Sequence, residues 1–209
     1  METLNANRLM LAKGKKLDIV CQAELIDCFR EIRKDISKLT YAIYCAELIN
    51  NFGLENDTNS SQIYDILFES LKNLALSDSN EETLWTMVRF NLKLMSSLGY
   101  AVELNSCVRC NSNVKGNSFY FSAESGGIVC PDCKNSAHKV FDLDPNSLRI
   151  LKDAINFDFP DSSEYNMKEN NGRVINQLIL GYCFNLLREY TSLRSHRKLK
   201  SPELIECLC

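Results

Sequence analysis

CVRCNSNVKGNSFYFSAESGGIVCPDC, residues 107–133, carries two Cys-x-x-Cys pairs with nineteen residues between them. A C-x2-C knuckle turns two thiolates toward one ion, and a second knuckle completes a tetrahedron that suits the filled d shell of Zn2+. The interval lies within the zinc-ribbon range. Four thiolates close the coordination shell, so Cys107, Cys110, Cys130 and Cys133 predict one structural Zn2+ and no open position for substrate or activated water. Between the pairs, NSFYFS alternates like a strand and Gly126-Gly127 supplies a turn before Ile128-Val129, so a small sheet brings the second knuckle back to the first. The competing readings are four reduced packing thiols or two redox dithiols. Both are weakened because the segment is too short and polar to build a core of its own, and a metal would provide much of its folding free energy.

The rest of the 209 residues can fill such a core, with 45% apolar composition. There is no apolar run of bilayer length and no export-type N-terminus, so a cytoplasmic protein with reduced thiols and no membrane partner is expected. Ten cysteines in a chain of this size do not suggest a secreted disulfide framework. Cys21, Cys28, Cys45 and Cys183 fall in or beside apolar helical patterns and read as packing residues. The terminal ECLC is not a prenylation signal, since the fourth-last residue is Glu206. Net charge is only -3, but its distribution is uneven. Residues 8–38 carry eight Lys/Arg against five Asp/Glu, residues 47–82 one against eight, and residues 188–200 five against one.

Residues 9–20 read as two short strands around a Lys-Gly turn, too little sheet to stand alone. From 23 to 52 apolar residues recur at helical steps, Leu25 and Ile26 among them, with a break near Arg33. The polar run GLENDTNSS is a loop, with Ser60 or Ser61 as the cap of a second helix whose stripe is Ile63, Leu67, Leu71 and Leu74. A third helix opens at Asn80-Glu81-Glu82 and stops at Gly99. Asp144-Pro145 caps the next, and a polar loop around DSSEYNMKENNG leads to a long helix from about 172 to 191 with Val174, Leu178, Tyr182 and Leu186 in step. Ser201-Pro202-Glu203 begins a last turn or two. The expected fold is mainly α: a helical bundle over 22–209 carrying an inserted zinc ribbon at about 105–137, preceded over 1–21 by a short β-hairpin.

Enzyme readings lose their supports. A zinc deaminase needs H-x-E followed by P-C-x-x-C, whereas Pro131 lies inside the pair and neither His138 nor His196 is followed by x-Glu. The phosphate loop G-x-x-x-x-G-K-[ST] is absent.

Four stretches in order resemble the bacterial RecO family of recombination mediators: GKKLDIVCQAELIDCFREIRKDISKLTYAIYCAELI, FNLKLMSSLGYAVELNSCVRC, FYFSAESGGIVCPDC and SLRSHRKLKSPELIECL. The resemblance implies an N-terminal OB-fold followed by a helical domain with a zinc ribbon, in a nucleoid-associated DNA repair protein. It also implies binding to single- and double-stranded DNA, strand annealing, and work with RecR and the single-stranded DNA-binding protein SSB to load RecA. An OB-fold needs five strands, and the residues before Gln22 have room for about two, so the hairpin is expected to be a remnant of it. A non-DNA-binding adaptor that keeps only the helical zinc-ribbon body is the alternative.

DNA binding without base readout needs cations that meet phosphates. Arg194, Arg197, Lys198 and Lys200, beyond the long helix, are the first candidates, against the plain reading of a solvated helix C-terminus. Lys13, Lys15 and Lys16 at the hairpin tip are the second. Arg89 and Lys93, four apart on one helix, are candidates for the acidic C-terminal tail of SSB. Of Tyr120 and Phe121, one is free to stack on bases and the other is core.

Overall fold

The chain opens with an antiparallel ribbon, β1 (Ala6–Ala12) and β2 (Ile19–Asp27), and continues through α1 (Arg30–Lys34), α2 (Ile36–Phe52), α3 (Ser60–Leu76) and α4 (Asn80–Ser97). A three-stranded antiparallel sheet follows, built from β3 (Phe119–Ser122), β4 (Gly127–Val129) and β5 (Val140–Leu143) in the order β4-β3-β5, with the single turn α5 (Pro131–Lys134) before β5. The helices α6 (Pro145–Asn156), α7 (Gln177–Arg194) and α8 (Ser201–Glu206) return the chain to the body. This computed structural model describes residues 3–53, 59–114, 119–156, 176–195 and 197–206. The architecture is the mainly helical one expected, with the hairpin at one end and the cysteine-bearing sheet set between helices.

At the centre lies α4, packed by α3, α6 and α7 and buried over most of its length. The Ser79 hydroxyl accepts from the Glu82 backbone N–H at 3.2 Å, and Glu81 and Glu82 sit at the positive end of the helix dipole. Gly99 ends the helix at φ +82, a conformation that only glycine adopts freely. Inside the bundle, the Tyr44 hydroxyl of α2 donates to Asn91 Oδ1 of α4 at 2.7 Å, and Thr191 Oγ1 of α7 lies 3.4 Å away. All three side chains are buried, so this small network fixes which faces of the three helices meet. The last helix, α8, is docked by the Glu47 carboxylate, which accepts from the backbone N–H groups of Lys200 (2.8 Å) and Ser201 (2.9 Å).

Several sequence expectations are corrected. The helical pattern from residue 23 is strand as far as Asp27, which places Leu25 and Ile26 in exposed positions on β2. The Asp27 carboxylate accepts from the Phe29 N–H at 2.7 Å and ends the strand in a local turn that competes with helix. The break expected near Arg33 falls at Asp35, whose carboxylate caps α2 through the N–H groups of Ser37 and Lys38. Ser60 is the first residue of α3 rather than its cap, because Asn59 precedes it and turns its amide to the Ser97 carbonyl. On α7, Leu178 is 78% exposed, whereas Leu186 is buried as expected; the buried face is Leu180, Cys183, Phe184, Leu186, Leu187, Tyr190 and Thr191. Cys45 and Cys183 are buried as expected, but Cys21 is exposed on the ribbon. Val174, most of the two polar loops and the last three residues lie outside the described residues.

The buried network gives a direct test. Tyr44→Phe removes the donor to Asn91 Oδ1 without changing shape, and is expected to lower unfolding stability by about 1–3 kcal/mol, read as a shifted urea midpoint at unchanged slope.

Candidate metal centre

The first knuckle is held by its own backbone: Cys107 N donates to Ser112 O (2.9 Å), Asn111 N donates to Cys107 O (2.8 Å), and Asn111 takes φ 57 to close the turn. The second is a helix start, with Cys130 at the cap position, Pro131 in the first turn and Cys133 N donating to Cys130 O at 3.1 Å. The sheet brings the two together. Val108 N donates to Ile128 O (2.9 Å) and Ile128 N to Glu103 O (2.9 Å), so β4 runs against the residues around the first knuckle. A Cβ on Gly127 would sit 2.5 Å from Val108 Cγ1 and 2.6 Å from Glu103 O, so only glycine permits this approach. Arg109, between the first two cysteines, ties the knuckles again by donating to Ser136 O at 2.7 Å.

As a result, the sulfurs of Cys107, Cys110, Cys130 and Cys133 all lie within 4.8 Å of one another, and Cys110 Sγ is 3.7 Å from Cys130 Sγ. A regular tetrahedron with metal–sulfur bonds of about 2.3 Å has edges of about 3.8 Å, so the donor set and its size fit a tetrahedral ion such as zinc. Cys107 is buried and Cys110 exposed, so the site is reachable from one side. Burial opposes ionisation of Cys107, but the N–H groups of Cys110, Cys130 and Arg109 aim at its sulfur and bring the thiol down to about 6. The Ser112 hydroxyl, 3.0 Å away, lowers Cys110 as well. Cys133 moves the other way, up to about 12, because its thiol hydrogen-bonds to the Cys130 sulfur and faces the other sulfurs. A cation supplies the positive charge that lets the whole set ionise, and on the knuckle side of the sheet the apolar cover is a small cluster around Val129, whereas Phe119, Phe121, Ile128 and Leu143 on the strands join the main core.

The sheet is clamped to the helical body at the β3–β4 turn. Arg194 Nη1 donates to Ala123 O (2.8 Å), Nη2 donates to Glu124 O (3.2 Å), and the guanidinium lies 3.7 Å from the Tyr190 ring centre. Tyr190 OH donates to Tyr100 O at 2.7 Å, and its ring meets Phe121 edge-on. Gly126, at φ +77, lies under both: a Cβ there would be 2.9 Å from Arg194 Nη2 and 3.1 Å from the Tyr190 ring. On the far edge, Tyr182 OH donates to Asp142 O of β5.

The other residues singled out in the sequence fall into separate settings. Arg194 is spent on this clamp rather than offered to solvent. Arg197, Lys198 and Lys200 share the exposed segment between α7 and α8, with Lys198 ion-paired to Glu203 at 2.9 Å. Lys13, Lys15 and Lys16 are exposed together at the hairpin tip. Arg89 is 4% exposed and Lys93 half-buried, because the central helix that carries them turns that face into the bundle; as an exposed pair for an acidic tail they are not displayed. Phe121 is core, and Tyr120 is covered by the Lys134 ammonium at 3.8 Å. The sequence reading missed the roles of Arg109, Ser112 and Arg194; the one available signal was the position of Arg109 inside a knuckle.

A helical body carrying a sheet with four clustered cysteines that could hold a metal ion defines the class of protein. The chain belongs to the RecO family: the family model described as Recombination protein O C terminal matches residues 33–201. Among curated relatives, the DNA repair protein RecO of Desulforamulus reducens is 26% identical over 202 residues, covering 97% of this chain and 74% of that protein. That of Pelotomaculum thermopropionicum is 30% identical over 207 residues, 99% of this chain and 75% of the relative. That of Thermoanaerobacter sp. is 36% identical over 143 residues, 68% and 56%.

The thiol directions set the sign of a pH test. With Cys107 ionised at pH 7 and Cys133 still protonated, metal uptake by metal-free protein at pH 7 is expected to release at least one proton per ion, measured by titration in buffers of different ionisation enthalpy. Affinity falls as pH drops through 6, where Cys107 also takes up its proton.

Proposed function

We propose that this chain acts in DNA repair as a non-catalytic recombination mediator, holding one structural Zn2+ on Cys107, Cys110, Cys130 and Cys133. In this reading it binds single- and double-stranded DNA, engages the SSB C-terminal tail, cooperates with RecR, and so promotes strand annealing and the loading of RecA. The family match over residues 33–201, which spans the helical body and both knuckles, carries the reading. The four-sulfur shell supports a purely architectural ion, since it leaves no coordination position for a reactant. Bound there, Zn2+ would supply the bonds that the thinly covered knuckle side of the sheet lacks.

On the protein side, Arg197, Lys198 and Lys200 offer cations for phosphate on one exposed segment, and Lys13, Lys15 and Lys16 on another. Each phosphate neutralised releases counterions, and this supplies affinity without reading sequence. Arg194 has a different part: it seats the ribbon on α7 and thereby fixes where the 197–200 segment begins. Lys93 is the remaining candidate on α4 for an acidic partner tail. No helix among the described residues is long and apolar enough to cross a membrane, and a cytoplasmic, nucleoid-associated location is part of the proposal.

One observation favours the second reading, an adaptor that docks proteins but not DNA: Arg194 is engaged by carbonyls and Lys198 by Glu203, which leaves fewer cations for phosphate. Retention on single-stranded DNA separates the two. A mediator loses affinity steeply between about 50 and 200 mM salt, and the triple change Arg197→Gln, Lys198→Gln, Lys200→Gln lowers the slope of log affinity against log salt by roughly 2. A flat salt response, or no retention, assigns the adaptor role instead.

A further inference from the structure

The β1–β2 ribbon pairs with no third strand among the described residues, and its two strands pack mainly on each other. Its far end is the loop Lys13–Asp18, and there Leu17 is 84% exposed, more than any other large apolar side chain among the described residues. The loop holds it there. A Cβ on Gly14 would lie 1.9 Å from the Leu17 carbonyl oxygen, so the chain folds back on itself at a point only glycine allows, and Leu17 is pushed to the outside of the bend. Lys13, Lys15 and Lys16 are exposed around it.

An apolar side chain at the apex of a projecting ribbon, ringed by cations, has the form of a wedge for stacked bases. We propose that the ribbon tip is a duplex-DNA wedge, in which Leu17 enters between two base pairs while Lys13, Lys15 and Lys16 sit on the flanking phosphates. The proposal rests on the DNA-binding reading above and goes beyond it, by naming one inserted residue and a distorted duplex as its target. Duplex rather than single strand follows from the side chain: leucine has no π face on which an unstacked base gains, whereas between two base planes it is buried on both sides. A lipid surface is the competing partner, because Met10, Leu11, Ile19 and Val20 are exposed along the same ribbon; a lone leucine at the apex with lysines beside it in the loop fits a base step better, and the vesicle outcome below separates the two.

The experiment uses the full chain with its metal and a defined duplex carrying 2-aminopurine at successive positions, whose fluorescence rises when a base unstacks. At about 50 mM salt the unaltered protein is expected to bind and raise the signal at a base step. Leu17→Ala is expected to bind roughly tenfold more weakly and to give no rise, while Leu17→Met restores it. The triple change Lys13→Gln, Lys15→Gln, Lys16→Gln lowers the salt slope by up to about 2.7. Leu17 is solvent-exposed, so these variants keep the fold, which circular dichroism checks. Binding with no fluorescence rise, or an equal rise from Leu17→Ala, overturns the wedge and leaves the DNA-binding reading intact. Failure to bind duplex or single-stranded DNA at any salt overturns both. Leu17-dependent binding to phosphatidylglycerol vesicles without duplex distortion assigns the tip to lipid and also overturns the wedge.

Discussion

Four sulfurs drawn to within 4.8 Å of one another cannot all carry charge without a cation among them. That constraint shapes everything around the sheet. The backbone aims N–H groups at Cys107, the Ser112 side chain aims its hydroxyl at Cys110, and the neighbouring sulfurs hold Cys133 protonated. The sheet has three strands of three or four residues; one face, with Phe119, Phe121, Ile128 and Leu143, joins the main core, and the knuckle side has only a small cluster around Val129, too little to fold free-standing. The clamp of Arg194 and Tyr190 ties this sheet to the helical body, and four cysteines that could hold a metal ion lie on its knuckle side. The clamp also runs outward: α7, whose last turn holds the ribbon turn, continues directly into the exposed segment with Arg197, Lys198 and Lys200.

How far this was legible in the sequence depends on how local each cause is. The knuckles, the Gly126-Gly127 turn, the stop at Gly99 and the Asp144-Pro145 start were readable because a few adjacent residues decide each of them. The strand through Leu25 and Ile26 was not, because an apolar pattern fits both periods over so short a run and the Asp27 turn that decides it is a single hydrogen bond. The third strand, β5, has four residues and exists only by pairing with β3. Arg89 and Arg194 were misplaced for one reason. A cation on a helix is read as solvent-facing by default, and only the neighbours of α4 and the carbonyls of the β3–β4 turn show otherwise. The clustering of the four cysteines, by contrast, was legible because their chemistry and spacing are both carried by the chain itself.

Charge in this protein is therefore divided between two kinds of work. Some cations are internal fasteners, as Arg109 is between knuckles, Arg194 at the ribbon turn and Lys134 over Tyr120. Others are exposed at the hairpin tip and after α7, where Lys198 is paired with Glu203. A net charge of -3 gives no general affinity for nucleic acid, so local sets of exposed cations such as these two would have to supply it.

The central claim, that a single ion ligated only by sulfur holds the ribbon in shape, is tested most directly by X-ray absorption at the zinc edge on protein purified without added metal. The account predicts one zinc per chain in a shell of four sulfurs at about 2.3 Å. Protein that keeps its folded ribbon with no bound metal, or a shell that includes an oxygen or nitrogen ligand in place of one of the four sulfurs, would contradict it.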